Sequence, residues 1–167
     1  VLASPRGGDA SVAFTSEFDD FELEPGMRIM FDCHGTIDRY CWDGGKTWVV
    51  DSELKGPAKL YAKATADVAE AILSAMRPGK RISELQAIGR EVYRQSGVPE
   101  PDRALIFFHG LGLSHMDIEI NQADGTSNHD WNLEEGMVVP LHLLYPGAEN
   151  ERLWLEEVAA ITPEGGR

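Results

Sequence analysis

The spacing of apolar residues changes period along the chain and divides it into a hairpin, a helical pair and further strands. MRIMFDCHG (27–35) has the pattern of a strand, TIDR (36–39) that of a turn, and YCWDGGKTWVV (40–50) that of a second strand interrupted by Gly44 and Gly45. Interior glycines of this kind mark a bulge or a close backbone approach. From Glu53 the period becomes helical: Leu60, Ala64, Val68, Ile72 and Met76 recur every fourth residue, and Pro78-Gly79 closes the segment. A second helix is predicted with Ser83 as its N-cap, Leu85, Ile88 and Val92 on its apolar face, and Gly97 at its end. ALIFFHGLGLSH (104–115) reads as an apolar strand running into a glycine-rich bend, and NQADGTSNHDWN (121–132) as a surface loop. MVVPLHLLY (137–145), a PGAENE turn and RLWLEEVAAIT (152–162) complete the chain as two more strands. A hairpin, two helices and then strands predict an α+β fold rather than a doubly wound parallel sheet.

Composition narrows the partners. A length of 167 residues fits one domain, and a net charge of −13 argues against a nucleic-acid ligand, which needs clustered Lys and Arg. No run of 18 apolar residues is present, so no membrane span is expected, and VLASPRGGDA lacks the apolar core of a secretory leader. Cys33 and Cys41 flank the hairpin. If Asp32 pairs across from Asp43, the two thiols project from opposite faces, which favours reduced cysteines and a cytoplasmic protein.

Five residues on apolar strands carry potential chemistry. Asp32 follows MRIMF, and Asp43 lies on the facing strand behind Trp42; two carboxylates on one face must share a proton or a cation. His109 follows ALIFF, His142 sits inside MVVPLHLLY, and Glu156 and Glu157 alternate on the last strand so that one of them points inward. A buried imidazole needs a partner, and a metal is one candidate.

These stretches resemble the pita-bread family of prolidases, methionine aminopeptidases and creatinases. FDCHGTIDRYCWDGGKT is similar to the family's two metal-binding aspartates, ten residues apart, with Lys46-Thr47 at its Arg-Thr pair. HGLGLSH resembles its His-Gly-x-Gly turn, LEEGMVVPLHLLYPG with RLWLEEVAAIT its two glutamate strands, and MRPGKRISEL its interhelical linker. The resemblance implies a curved antiparallel sheet covered by helices, one catalytic domain over 1–167 that lacks the first helices of the fold. It also implies a longer parent chain with an additional N-terminal domain, and a homodimer. One or two divalent ions (Mn, Co, Zn or Fe) are implied, with Asp32 binding one, His109 the other, and Asp43 and Glu156 bridging both.

The departures are equally specific. The family's remaining glutamate ligand falls on His142, which removes a negative charge and favours single-metal occupancy. No histidine occurs near Phe14, where the family's peptidases carry one, and position 116 is Met, with His115 adjacent. His115 and His34 are the expected stabilisers of an oxyanion and Glu156 the expected proton shuttle. The implied activity is metal-assisted hydrolysis of an amide bond in a small peptide such as a Xaa-Pro dipeptide. The alternatives are a creatinase-like or lyase-like enzyme acting on a small non-peptide substrate, and a non-catalytic binding module.

Overall fold

The computed structural model describes residues 2–4, 22–116, 120–121, 130–147 and 152–167. Most of the acidic N-terminal stretch, 122–129 of the polar loop and 148–151 of the PGAENE turn lie outside the described residues. The described chain runs β1 (Leu2–Ser4), β2 (Arg28–Ile37), β3 (Tyr40–Val49), α1 (Pro57–Ala75), α2 (Ile82–Gln95), β4 (Leu105–His109), β5 (Ile120–Asn121), β6 (Val138–Tyr145), β7 (Leu153–Thr162) and β8 (Gly165–Gly166). The strands form one antiparallel sheet in the order β1-β2-β3-β7-β6-β4-β5, with β8 paired to β7. The α+β expectation holds. No helix among the described residues is long and apolar enough to cross a membrane.

The hairpin register differs from the expected one. Asp32 faces Gly45, and Asp43 faces His34. The cause is the turn: only Asp38 and Arg39 form it, with φ of 48° and 73°, as a two-residue loop with two left-handed positions requires. That centre shifts every pair from the register in which Asp32 would oppose Asp43. Parity is unaffected, so Asp32, His34 and Asp43 still share a face, while Cys33 (opposite Gly44) and Cys41 (opposite Thr36) lie on opposite faces as free thiols.

Glycine enters β3 for a packing reason rather than to make a bulge, and the ladder is continuous through it. A Cβ on Gly45 would collide with the Trp154 indole nitrogen and lie 2.6 Å from the Phe31 carbonyl oxygen, whereas Gly44 has nothing within 4 Å.

The helical pair packs one face of the β7-β6-β4 half of the sheet: α1 lies against β6, β7 and β8, and α2 against β4. Ala64, Val68, Ile72 and Met76 of the predicted stripe are buried, but Leu60 is 40% exposed and Tyr61 takes its place at the sheet. A strict four-residue repeat drifts around a helix of 3.6 residues per turn, so the face that buries Ile72 and Met76 leaves Leu60 on the outer side and brings Tyr61 inward. Ser83 is not the cap of α2. It sits in the first turn, where Asp130 accepts hydrogen bonds from its backbone N–H at 3.0 Å and its hydroxyl at 2.9 Å. The N-cap is Arg81, whose N–H donates to Glu84 at 2.9 Å. Ile106, Phe108, Leu141, Leu143 and Ile161 point from the sheet into the same core as Val68, Ile72 and Leu85. Each large apolar side chain buried there contributes about 1.5–3 kcal/mol. Strand alternation therefore commits the other side chains of these strands to the opposite face.

Candidate metal centre

That opposite face carries the polar residues. Cross-strand pairing brings Asp32 beside Gly45, Gly45 beside Glu156, Glu156 beside His142, and His142 beside Phe107, one row across five strands. His34 and Asp43, paired with each other, and His109, two residues on from Phe107, occupy the neighbouring row. Thr47 pins the central alignment: its hydroxyl accepts the Trp154 N–H at 2.8 Å and donates to the Trp154 carbonyl at 3.3 Å. Glu157 points the other way and pairs with Lys46 at 3.0 Å. Alternation thus selects Glu156 as the inward glutamate.

Asp43 is the hub. Its Oδ2 lies 2.9 Å from His115 Nε2, 3.3 Å from His109 Nε2 and 4.0 Å from His142 Nε2. His142 Nε2 is 2.9 Å from His109 Nε2 and 3.4 Å from Glu156 Oε1. His109, Glu156, His142 and Asp43 are 1%, 2%, 5% and 8% exposed, too dry for charged groups without partners. His109 Nδ1 donates to the Gly110 carbonyl at 2.8 Å, which directs the Nε2 lone pair towards Asp43 and His142. The His142 ring stacks on Phe107, centroids 4.3 Å apart, with Trp154 against its edge. His115 stacks on His34 at 4.0 Å.

The electrostatics match a site built for a cation. Burial, followed by repulsion from Asp43, pushes Glu156 up to about 9. Burial also raises Asp32, again with Asp43 as the second cause. Asp43 is buried too, yet the neighbouring His109, Glu156 and the other imidazoles hold it down at about 2. His142 is driven down to about 3 by burial and then by His109. Among the described residues, neither Glu156 oxygen nor His142 Nδ1 has a hydrogen-bond partner. Two orphaned carboxylate oxygens beside clustered imidazole nitrogens are the donor set a divalent ion would satisfy. Two trios, Asp43–His109–His115 and Asp43–His142–Glu156, each keep their donor atoms within 4.8 Å of one another.

All the residues singled out in the sequence share this face, but not one cluster. Asp32 belongs to neither trio among the described residues; it lines an adjacent cavity of about 320 Å³ with Met30, Leu105, Leu144, Trp154 and Arg152. Phe107 and Trp154 were not anticipated as site residues. Their signal was available, since each lies two positions before a predicted ligand and alternation puts it on the same face. The contact of His115 with Asp43 had no such signal, because it depends on the path of a bend.

The antiparallel sheet with two helices on one face and a buried Asp/His/Glu cluster on the other has the pita-bread architecture. Residues 5–163 match the family described as Metallopeptidase family M24, and the chain belongs to that family. It is 26% identical over 152 residues to the Xaa-Pro dipeptidase of Pyrococcus furiosus, covering 89% of this chain and 41% of that protein. It is 27% identical over 145 residues to the putative dipeptidase YkvY of Bacillus subtilis, covering 85% and 35%. The chain thus spans about two-fifths of the length of these relatives. Among solved structures, the dipeptidase PepE of Mycobacterium ulcerans superposes with a TM-score of 0.77 at 22% identity, covering 99% of this chain and 42% of that one. The Pyrococcus furiosus prolidase gives 0.71 at 24%, covering 89% and 42%. These likenesses confirm the fold.

Proposed function

We propose that the chain is the catalytic part of a metal-dependent peptidase that cleaves the amide bond of a small peptide of the Xaa-Pro type. The observation that carries this is the buried cluster around Asp43, where two orphaned Glu156 oxygens and the Nε2 atoms of three histidines converge on one face of the sheet. Asp43, His109, His142 and Glu156 are the residues that would hold the ion. A divalent ion bound there supplies a Lewis acid and lowers the pKa of water towards neutrality.

The protein's own groups divide the remaining work. Glu156 is protonated near neutral pH in the ion-free site through burial and repulsion from Asp43. It would give up that proton on ligating an ion and then act as the proton acceptor at the centre of the row. His115, braced by His34, stands at the more open side of the cluster and is the donor for charge developing on the substrate carbonyl oxygen. The cavity beside Asp32 has apolar walls of Met30, Leu105, Leu144, Pro146 and Trp154 and is also lined by Arg103 and Arg152, a mixture that suits a compact apolar residue next to a carboxylate. A peptide substrate accords with the dipeptidase relatives. The test is release of free proline from a panel of Xaa-Pro dipeptides by the full-length protein, before and after removal of metal. No metal-dependent release from any dipeptide would end this reading.

A further inference from the structure

The donor atoms around Asp43 do not suit the two-ion carboxylate centre that the family's spacing implies. A tetrahedral ion with bonds of about 2.0–2.1 Å requires ligand atoms about 3.3–3.4 Å apart. Asp43 Oδ2, His109 Nε2 and His142 Nε2 form a triangle with edges of 3.3, 4.0 and 2.9 Å, which brackets that value. Glu156 Oε1 lies 3.4 Å from His142 Nε2 and groups with it and Asp43, and His115 Nε2 lies 2.9 Å from Asp43. Both possible trios share Asp43, whose carboxylate lies at the centre of the donor set.

Charge gives the same count. Asp43 and Glu156 together supply two negative charges to a dry site, enough for one dication. His142 supplies none, and an imidazole nitrogen cannot bridge two ions as a carboxylate can. Asp32, the other acidic side chain on the row, belongs to neither donor group among the described residues and forms part of the neighbouring cavity. A tetrahedral set of two imidazoles and two carboxylates suits zinc or the cobalt that substitutes for it, whereas manganese and magnesium favour octahedral sets of carboxylate, carbonyl and water oxygens.

We infer that this chain holds a single transition-metal ion of the zinc or cobalt kind on Asp43, His109, His142 and Glu156, with Asp32 a cavity wall rather than a ligand. The inference rests on the reading that the cluster holds a divalent ion, and extends it to the number and kind of ion.

The experiment is equilibrium dialysis of the metal-stripped full-length protein against Zn(II), Co(II) or Mn(II), with bound metal measured by atomic spectroscopy and the visible spectrum of the Co(II) form recorded. The expected result is one Zn(II) or Co(II) per chain, bound at least ten-fold more tightly than Mn(II), with the intense absorption of tetrahedral cobalt. Asp32→Asn is expected to change neither the count nor the spectrum, while His142→Glu raises the capacity to two ions. Circular dichroism checks that each variant is folded, and Asp32→Asn decides the matter alone should His142→Glu fail that check. Two ions per wild-type chain, loss of an ion in Asp32→Asn, Mn(II) bound as tightly as Zn(II), or no bound ion would each overturn the inference. One ion without amide hydrolysis would count against the peptidase reading only; two ions with hydrolysis would count against the single-ion inference only.

Discussion

His109 and His142 point their Nε2 atoms at one another across 2.9 Å, inside a sheet whose other face is packed by two helices. Neighbouring imidazoles this dry cannot both be charged, and His142 is the one driven well below its ordinary range. His142 is therefore neutral at ordinary pH, the form in which an imidazole nitrogen can ligate an ion.

Removal of the hub is expected to be the most damaging change to metal binding. Asp43→Asn should weaken binding of Zn(II) by at least about 100-fold, because Asp43 belongs to both donor trios. The secondary structure should persist, since the residues that pack the core lie on the opposite face. Calorimetric titration of the stripped protein measures the loss, and circular dichroism the fold.

Metal uptake should release a proton. Glu156 is raised from 4.5 to about 9, so at pH 7–8 it carries a proton that a ligand carboxylate must give up. Titrations in buffers of different ionisation enthalpy should report about one proton per ion, and Glu156→Gln should report almost none.

The same groups set the pH dependence of the metal-free protein. Glu156, raised in the folded state, contributes stability that is full below 4.5 and is lost as pH rises towards 9. His142, lowered from 6.5 to about 3, has the opposite sign: folding weakens as pH falls below 6.5. The two slopes oppose one another between 4.5 and 6.5, so denaturant stability should be nearly flat there and fall on both sides. Glu156→Gln should remove the alkaline fall, and a wild-type protein whose stability is unchanged from pH 6.5 to 9 would contradict the assignment.

Close packing at β3 gives a prediction independent of metal. Gly45→Ala forces a methyl group against Trp154 and the Phe31 carbonyl oxygen and should cost about 1–3 kcal/mol, whereas Gly44→Ala meets nothing and should stay within about 0.5 kcal/mol of wild type. Chemical denaturation of the two variants measures the difference.

Much of this was legible in the sequence because alternation and helical period are local. The face shared by Asp32, His34 and Asp43, the inward choice of Glu156 over Glu157, and the burial of Val68 and Ile72 all follow from them. What failed depended on single residues of geometry. The two-residue Asp38-Arg39 turn moved the hairpin register, and the drift of a four-residue repeat on a helix of 3.6 residues per turn buries Tyr61 in place of Leu60. Contacts between distant segments were illegible for a different reason. Asp130 reaches Ser83 from 47 residues away and His115 reaches Asp43 across 72, distances over which no periodicity carries information.

The central claim is that amide hydrolysis by this protein depends on an ion held at the Asp43 cluster. The most direct measurement is proline release from Xaa-Pro dipeptides by the full-length protein, stripped of metal and then titrated with Zn(II), Co(II), Fe(II) and Mn(II). The predicted result is no release when stripped, restoration by at least one of the ions, and a loss of 100-fold or more in Asp43→Asn at saturating metal. Undiminished release by the stripped protein, or by Asp43→Asn, would contradict it.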